Sequence, residues 1–213
     1  MKSFNQNDLI HLSHKERLHL INSITGIKPA NLIASVDSDG NPNLAIFSSI
    51  VHLGSKPPLL GFVVRPSGDV PRHTYENIIE TKKYTINAVP TSLIEKAHFS
   101  SAKFDRSVNE FERLNIENYL ADEFEVPFVK DAPIKLGIEF REELDIKLNQ
   151  TKLIVGEVCY IEIQEEHLND FGALRLDKAD VAGISGLNTY YGLNKIGAFP
   201  YARVNEVPEY KKD

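Results

Sequence analysis

NLAIFSSIVHLGSKPPLLGFVVRPSGDVPRHT, running from Asn43 to Thr74, is the stretch whose reading decides the fold. Asn43 to Ile50 reads as a strand that opens in alternation and ends in Phe47-Ser48-Ser49. Small hydroxyl side chains at that end let a flat ligand approach the backbone closely. A loop follows, Pro57-Pro58 breaks the chain, and Leu59 to Val64 is an apolar run of strand length interrupted only by Gly61. Arg65, Arg72 and Thr74 follow, just before a helical pattern that begins near Tyr75. An Arg-bearing loop leading into a helix N-terminus is a natural anion socket, because free N–H groups and the helix dipole both favour negative charge. One segment therefore offers a flat polar surface and a phosphate-sized socket.

Upstream, Asn31 to Val36 is a second strand, joined to the first through Asp37-Ser38-Asp39-Gly40-Asn41-Pro42, a strong hairpin turn. Residues 1–12 read as a polar, loose arm, and Ser13 to Ile24 as a short helix or a first strand. Downstream, Thr74 to Lys83 reads as a short helix with Thr74 as its N-cap. Tyr84 to Val89 is a strand, a second helix starts at Thr91-Ser92, and a third covers Ser107 to Leu114. Residues 116–133 read as a wrapping excursion with one weak strand. Two long strands, Ile134 to Leu148 and Lys152 to Gln164, form a hairpin with alternation that sets one wet face against one buried face. Residues 165–180 are an acidic loop with one short helix, and residues 206–213 a polar tail. Many short strands with three brief helices between them give a mainly β, closed or nearly closed antiparallel barrel, in one domain over residues 1–213.

Thirty acidic residues against 24 basic ones leave a net charge of −6, which argues against a general nucleic-acid or anionic-membrane surface. The single cysteine, Cys159, permits no intrachain disulfide and fits a reducing, cytoplasmic setting. No apolar run approaches membrane-spanning length. The seven histidines show no spacing of metal-ligand type, so no metal is expected. The glycines form neither a GxGxxG nor a Walker loop after a strand, so any nicotinamide nucleotide has no domain of its own here. No acid, base or nucleophile stands out as catalytic.

The order and spacing of these motifs resemble the flavin reductase-like, FMN-binding split-barrel family, which includes the flavoredoxins. The residues that carry the resemblance are Asn43, Phe47-Ser48-Ser49, Pro57-Pro58, Gly61-Phe62, Arg72-His73-Thr74, Asn77-Ile78, Tyr84-Thr85-Ile86-Asn87, residues 97–103 and Val155-Gly156-Glu157-Val158. Many relatives have Asp where His73 stands. The resemblance implies a split β-barrel with short helical insertions, built as a homodimer with FMN near the subunit interface. It implies that Phe47, Ser48 and Ser49 line the isoalloxazine, that Arg72 and Thr74 hold the phosphate with Arg65 and Asn87 nearby, and that Ser100 and Lys103 close over the ribityl phosphate. Tyr190, in the late segment Val181 to Tyr191, would cover the ring, and His98 is a candidate ring-edge contact. The implied activity is reduction of the flavin by NADH or NADPH and delivery of electrons to a flavin or protein acceptor. A flavoredoxin-like carrier that retains FMN and turns over little NAD(P)H is the alternative, with a pyridoxamine-phosphate-type oxidase or haem binder as a third reading.

Overall fold

Two locally capped helices open the chain in the computed structural model, which describes residues 1–68 and 70–210. They are α1 (Gln6–His11) and α2 (His14–Ser23). Asn5 and Asp8 close a capping box on α1, with side chain and backbone exchanging bonds of 3.0 and 2.8 Å, and Ser13 and Glu16 do the same for α2. The loose arm expected over residues 1–12 thus carries a helix, and the helix-or-strand choice at 13–24 falls to helix. Neither helix buries a residue, so short-range hydrogen bonds rather than packing decide both.

Then come β1 (Lys28–Pro29), β2 (Asn31–Val36), β3 (Pro42–Phe47), β4 (Val51–Ser55) and β5 (Pro58–Val64). The Asp37 carboxylate accepts from the N–H groups of Asp39 and Asn41, and Gly40 takes φ +84°, which turns β2 into β3. Next are α3 (His73–Thr81), β6 (Lys83–Ala88), a 3-10 turn over Thr91–Leu93, α4 (Ile94–Phe99) and α5 (Glu110–Arg113). The chain continues through β7 (Asn118–Ala121), β8 (Phe124–Val129), β9 (Ile134–Ile146), β10 (Thr151–Ile163), β11 (Ala182–Ser185) and β12 (Thr189–Gly192).

Seven strands form one antiparallel sheet in the order β3-β2-β6-β9-β10-β5-β4. Its two edge strands, β3 and β4, are consecutive in the chain, so Ser48 to Ile50 joins one edge to the other. The Ser49 hydroxyl accepts from the Val63 N–H at 3.0 Å and ties that link to β5. The sheet is a mainly β split barrel. Small sheets flank it, β1-β11-β12 and the hairpin β7-β8.

Strand parity makes two cores. Ile33, Phe62, Tyr84, Ile86, Ile138 and Ile154 fill the barrel. Leu32, Ala34 and Leu44 point the other way, against Leu93, Ala97, Phe111 and Phe128 of the helices and the β7-β8 hairpin. β2 is therefore buried on both faces, which is why Leu32, Ile33 and Ala34 run apolar without alternation.

Several local expectations differ from the structure. The link read as a loop before Pro57-Pro58 contains β4. Residues 116–133 hold a two-stranded hairpin rather than one weak strand. The third helix is the four residues of α5, not the span Ser107 to Leu114, and 165–180 contributes only a 3-10 turn at Glu165–His167. Helix α3 begins at His73 with Arg72 as its N-cap, and Thr74 is buried inside the first turn instead of capping it. Of the tail at 206–213, residues 211–213 lie outside the described residues. No helix among the described residues is long and apolar enough to cross a membrane.

Candidate functional site

Three groups of residues meet along β3. At its start, the buried Asn43 amide donates to the Thr74 hydroxyl at 2.8 Å, fixing the first turn of α3 against the barrel. At its far end, Phe47 packs edge-to-face on Phe62 with ring centroids 5.1 Å apart, and Ser49 is hydrogen-bonded to Val63. Five residues of extended chain separate Asn43 from Ser48, about 17 Å at the rise of a strand. The third group comes from the helices: α4 and α5 pack on the same strand, and the buried Glu110 carboxylate accepts the Leu44 N–H at 3.1 Å. Burial pushes the Glu110 carboxyl above the usual carboxylate range.

The N-terminus of α3 has no side-chain cap. Among the described residues, the Arg72 N–H is engaged there, by one Glu76 carboxylate oxygen at 3.2 Å. The Arg72 guanidinium folds back on the Pro66 carbonyl, with donors at 3.3 and 3.4 Å, and keeps part of its surface open. Arg65 is exposed immediately beyond the end of β5. Arg106, which the sequence reading did not single out, reaches the same helix: it donates to the second Glu76 oxygen at 2.7 Å and to Asn77 Oδ1 at 3.0 Å. It pins the loop that carries Ser100 and Lys103 over α3. Its signal in the sequence was no more than an Arg three residues after Lys103.

The predicted site residues sort by what their polar atoms already do. Phe47, Ser48, Ser49, Arg65, Arg72 and Thr74 lie at the two ends of β3 and at the mouth of α3. Lys103 is exposed on the loop that Arg106 anchors, whereas Ser100 is buried with its hydroxyl donating to the Ala97 carbonyl at 2.7 Å. Tyr190, in β12, stands edge-on to His98, with its hydroxyl 3.2 Å from His98 Nδ1, so it braces α4. Asn87 is not brought to the group. It is fully buried, donates to the Leu32 carbonyl at 3.2 Å and to Thr85 Oγ1 at 2.9 Å, and accepts the Val129 N–H at 2.9 Å. These bonds fasten the β7-β8 hairpin to the barrel wall.

The donor set fits a phosphorylated, flat ligand. A first helical turn with open N–H groups and two arginines beside it suits a phosphate. Seventeen ångströms or so along β3, small hydroxyl side chains and a phenyl ring suit the face of a ring system.

The chain belongs to the flavin reductase like domain family, whose model matches residues 27–177. A split barrel domain protein of Shewanella frigidimarina NCIMB 400, provisionally assigned as a flavin reductase, is 38% identical to it, with 95% of this chain and 100% of that one covered and a TM-score of 0.91. Flavoredoxin of Desulfovibrio vulgaris (Miyazaki F) shares the fold at 19% identity, with a TM-score of 0.72 over 83% of this chain and 92% of its own. An uncharacterized protein of Deinococcus radiodurans is 29% identical over 171 residues, 77% of this chain and 74% of that protein.

Proposed function

We propose that the chain is an FMN-binding flavin oxidoreductase, most simply an NAD(P)H-dependent flavin reductase acting as a cytoplasmic homodimer. One observation carries the reading: the Asn43–Thr74 bond holds an uncapped helix N-terminus and Arg72 at one end of β3, while Phe47-Ser48-Ser49 stands at the other. When bound, FMN supplies the hydride chemistry at its N5 and the onward passage of electrons to a flavin or protein acceptor. The residues of the chain bind and orient. Arg72 and Arg65 neutralise the phosphate, and the first-turn N–H groups of α3 together with the Thr74 hydroxyl donate to it. Phe47, Ser48 and Ser49 present a flat wall to the ring. Lys103, on the loop anchored by Arg106, closes the phosphate end. Tyr190 and His98 shape the wall through α4. Nothing in this arrangement needs a protein acid, base or nucleophile.

The test is an absorbance spectrum of the purified protein after FMN is added and the excess removed, followed by NADH and NADPH oxidation. Retained flavin bands, lost in an Arg72→Ala variant with unchanged circular dichroism, support the site. A protein that never holds flavin removes the reading. Retained flavin with background NADH and NADPH oxidation converts it to the electron-carrier reading.

A further inference from the structure

The outer face of the barrel is apolar where water should favour polar side chains. Val51 and Leu53 of β4, Val63 of β5, Leu153 of β10, and Leu144 and Ile146 of β9 share that face by register: Val51 opposes Gly61, Val63 opposes Leu153, and Leu153 opposes Leu144. The inward residues of the same strands, Phe62 and Ile154, are in the barrel core. Leu53, Val51 and Leu144 remain 43–45% exposed. Gly61 lies in the middle of the strip, and a Cβ there would meet Leu53 and Leu153 at 3.0 and 3.1 Å, so the strip is a continuous shallow surface. A contiguous apolar patch of this kind on an antiparallel sheet marks a surface made to be covered.

The same chain carries a second unburied apolar feature. Leu193 is the last residue seated against the body, beside Ala182 and Leu136. Beyond it, residues 194–210 hold two basic and two acidic residues, a net charge of zero, and six large apolar side chains. That composition is not the charged, weakly hydrophobic signature of a solvated tail. Ile196, Phe199, Val204 and Tyr201 are 99%, 93%, 95% and 84% exposed, so among the described residues these side chains pack on nothing in their own chain. Tyr201, Val204, Val207 and Tyr210 recur every third residue, with Pro200 and Pro208 beside the run. A spacing of three matches the three residues per turn of a 3-10 or polyproline II segment, so a chain held in either form would set these side chains on one side; the turn at Val204–Glu206 is of the 3-10 kind. Seventeen extended residues reach about 55 Å, longer than the roughly 45 Å diameter of a domain of this size. Phe199, Tyr201 and Tyr210 alone can bury about 450–750 Å², against about 800 Å² per partner in a stable interface.

We propose that residues 194–210 are an exchanged arm: each copy lays its apolar stripe on the other copy, over the outer face of β4, β5, β10 and β9. The inference deepens the homodimer reading and rests on it. Because the same face and the same arm are present on both chains, the contact is self-complementary and closes as a two-fold pair. The covered face adjoins Ser49 through its bond to Val63, so the arm of one chain passes beside the ring end of the partner's site.

Sedimentation velocity over a concentration series tests this on the full chain, on Tyr201→Asp with Val204→Asp, and on Leu53→Asp, with circular dichroism to check folding. The expected result is a dimer for the full chain and association weakened about tenfold or more in both variants, as for central interface anchors. Both arm residues are fully outside the body, so those substitutions do not threaten the fold. A full-length dimer whose association the arm substitutions leave unchanged overturns the arm and leaves the homodimer standing, whether or not Leu53→Asp weakens it. A full-length monomer overturns both.

Discussion

Asn43 and Thr74 hold the first turn of α3 to the start of β3, the Asn43 amide donating to the Thr74 hydroxyl at 2.8 Å with both side chains buried. Thirty-one residues separate them, so one buried bond sets the angle at which the head of α3 meets the barrel. Thr74→Val keeps the shape and removes the acceptor, leaving a buried amide donor unpaired. The expected cost is about 1–3 kcal/mol in urea unfolding. Thr74→Ser restores an acceptor and recovers most of it. With Thr74 in its proposed role beside the phosphate, FMN affinity is expected to follow the same order, because that donor and the seat of α3 are lost together.

Asn87 provides the contrast. Its three side-chain hydrogen bonds all end on Leu32, Thr85 and Val129. Asn87→Ala strands the buried Val129 N–H, and the expected loss is about 1–3 kcal/mol of unfolding free energy. FMN affinity per folded molecule stays within about twofold of the parent, whereas Arg72→Ala loses affinity with little change in stability. Urea titration beside flavin titration separates the two roles. A stable Asn87→Ala protein that cannot hold FMN would return Asn87 to the cofactor site.

The same pair explains what the sequence made legible. Apolar runs, the turn at Gly40 and the Pro57-Pro58 break report local structure, and they place β2, β3, β5, β6, β9 and β10, but not the edge strand β4, whose residues Val51–Ser55 carry no apolar run. Asn87 sits in a motif at strand end, and nothing local says that its partners are 55 and 42 residues away. Thr74 looks like a cap because Thr is a good one. Its oxygen is taken by Asn43, and Arg72 becomes the cap residue. The β7-β8 hairpin was read as one weak strand because its Asp122-Glu123 turn carries no glycine or asparagine. Helix α1 has no signal of this kind, because Leu9 and Ile10 are its two apolar residues and, being adjacent, they make no stripe; the Asn5–Asp8 box starts it.

Tyr84 lies at the centre of the barrel with its hydroxyl buried and without a hydrogen-bond partner among the described residues. Burial pushes its phenol well up from the usual tyrosine value, so the group stays neutral at every working pH. Tyr84→Phe removes an unsatisfied polar atom, and the expected change is between zero and about 1 kcal/mol of stabilisation. The hydroxyl points at Gly156, where an added Cβ would lie 2.4 Å from both the Tyr84 oxygen and Ile138 Cγ2. Gly156→Ala should therefore cost about 1–3 kcal/mol through overpacking. Combining it with Tyr84→Phe recovers only part of that, because the Ile138 contact remains. Thermal melts of the four proteins form the cycle; full recovery in the double variant would mean that Ile138 moves freely.

Glu110 gives the barrel edge a pH dependence of definite sign. β3 is an edge strand, and the buried Glu110 carboxylate covers it by accepting the Leu44 N–H. Burial raises the carboxyl above its ordinary 4.5, while the Leu44 bond opposes that shift without cancelling it. The folded state therefore binds this proton more tightly than the unfolded chain does. Between the ordinary value and the raised one, unfolding releases a proton, so the stabilising contribution of Glu110 is complete below about 4.5 and is lost as pH rises through the raised value. At neutral pH the ionised carboxylate carries a desolvation penalty. Glu110→Gln keeps an oxygen for the Leu44 N–H and has no charge to desolvate. Urea unfolding from pH 4 to 8 should then show the variant gaining on the parent as pH rises, with the difference level above the raised value. A difference that runs the other way would mean that the ionised carboxylate is held by donors at this edge more strongly than burial opposes it.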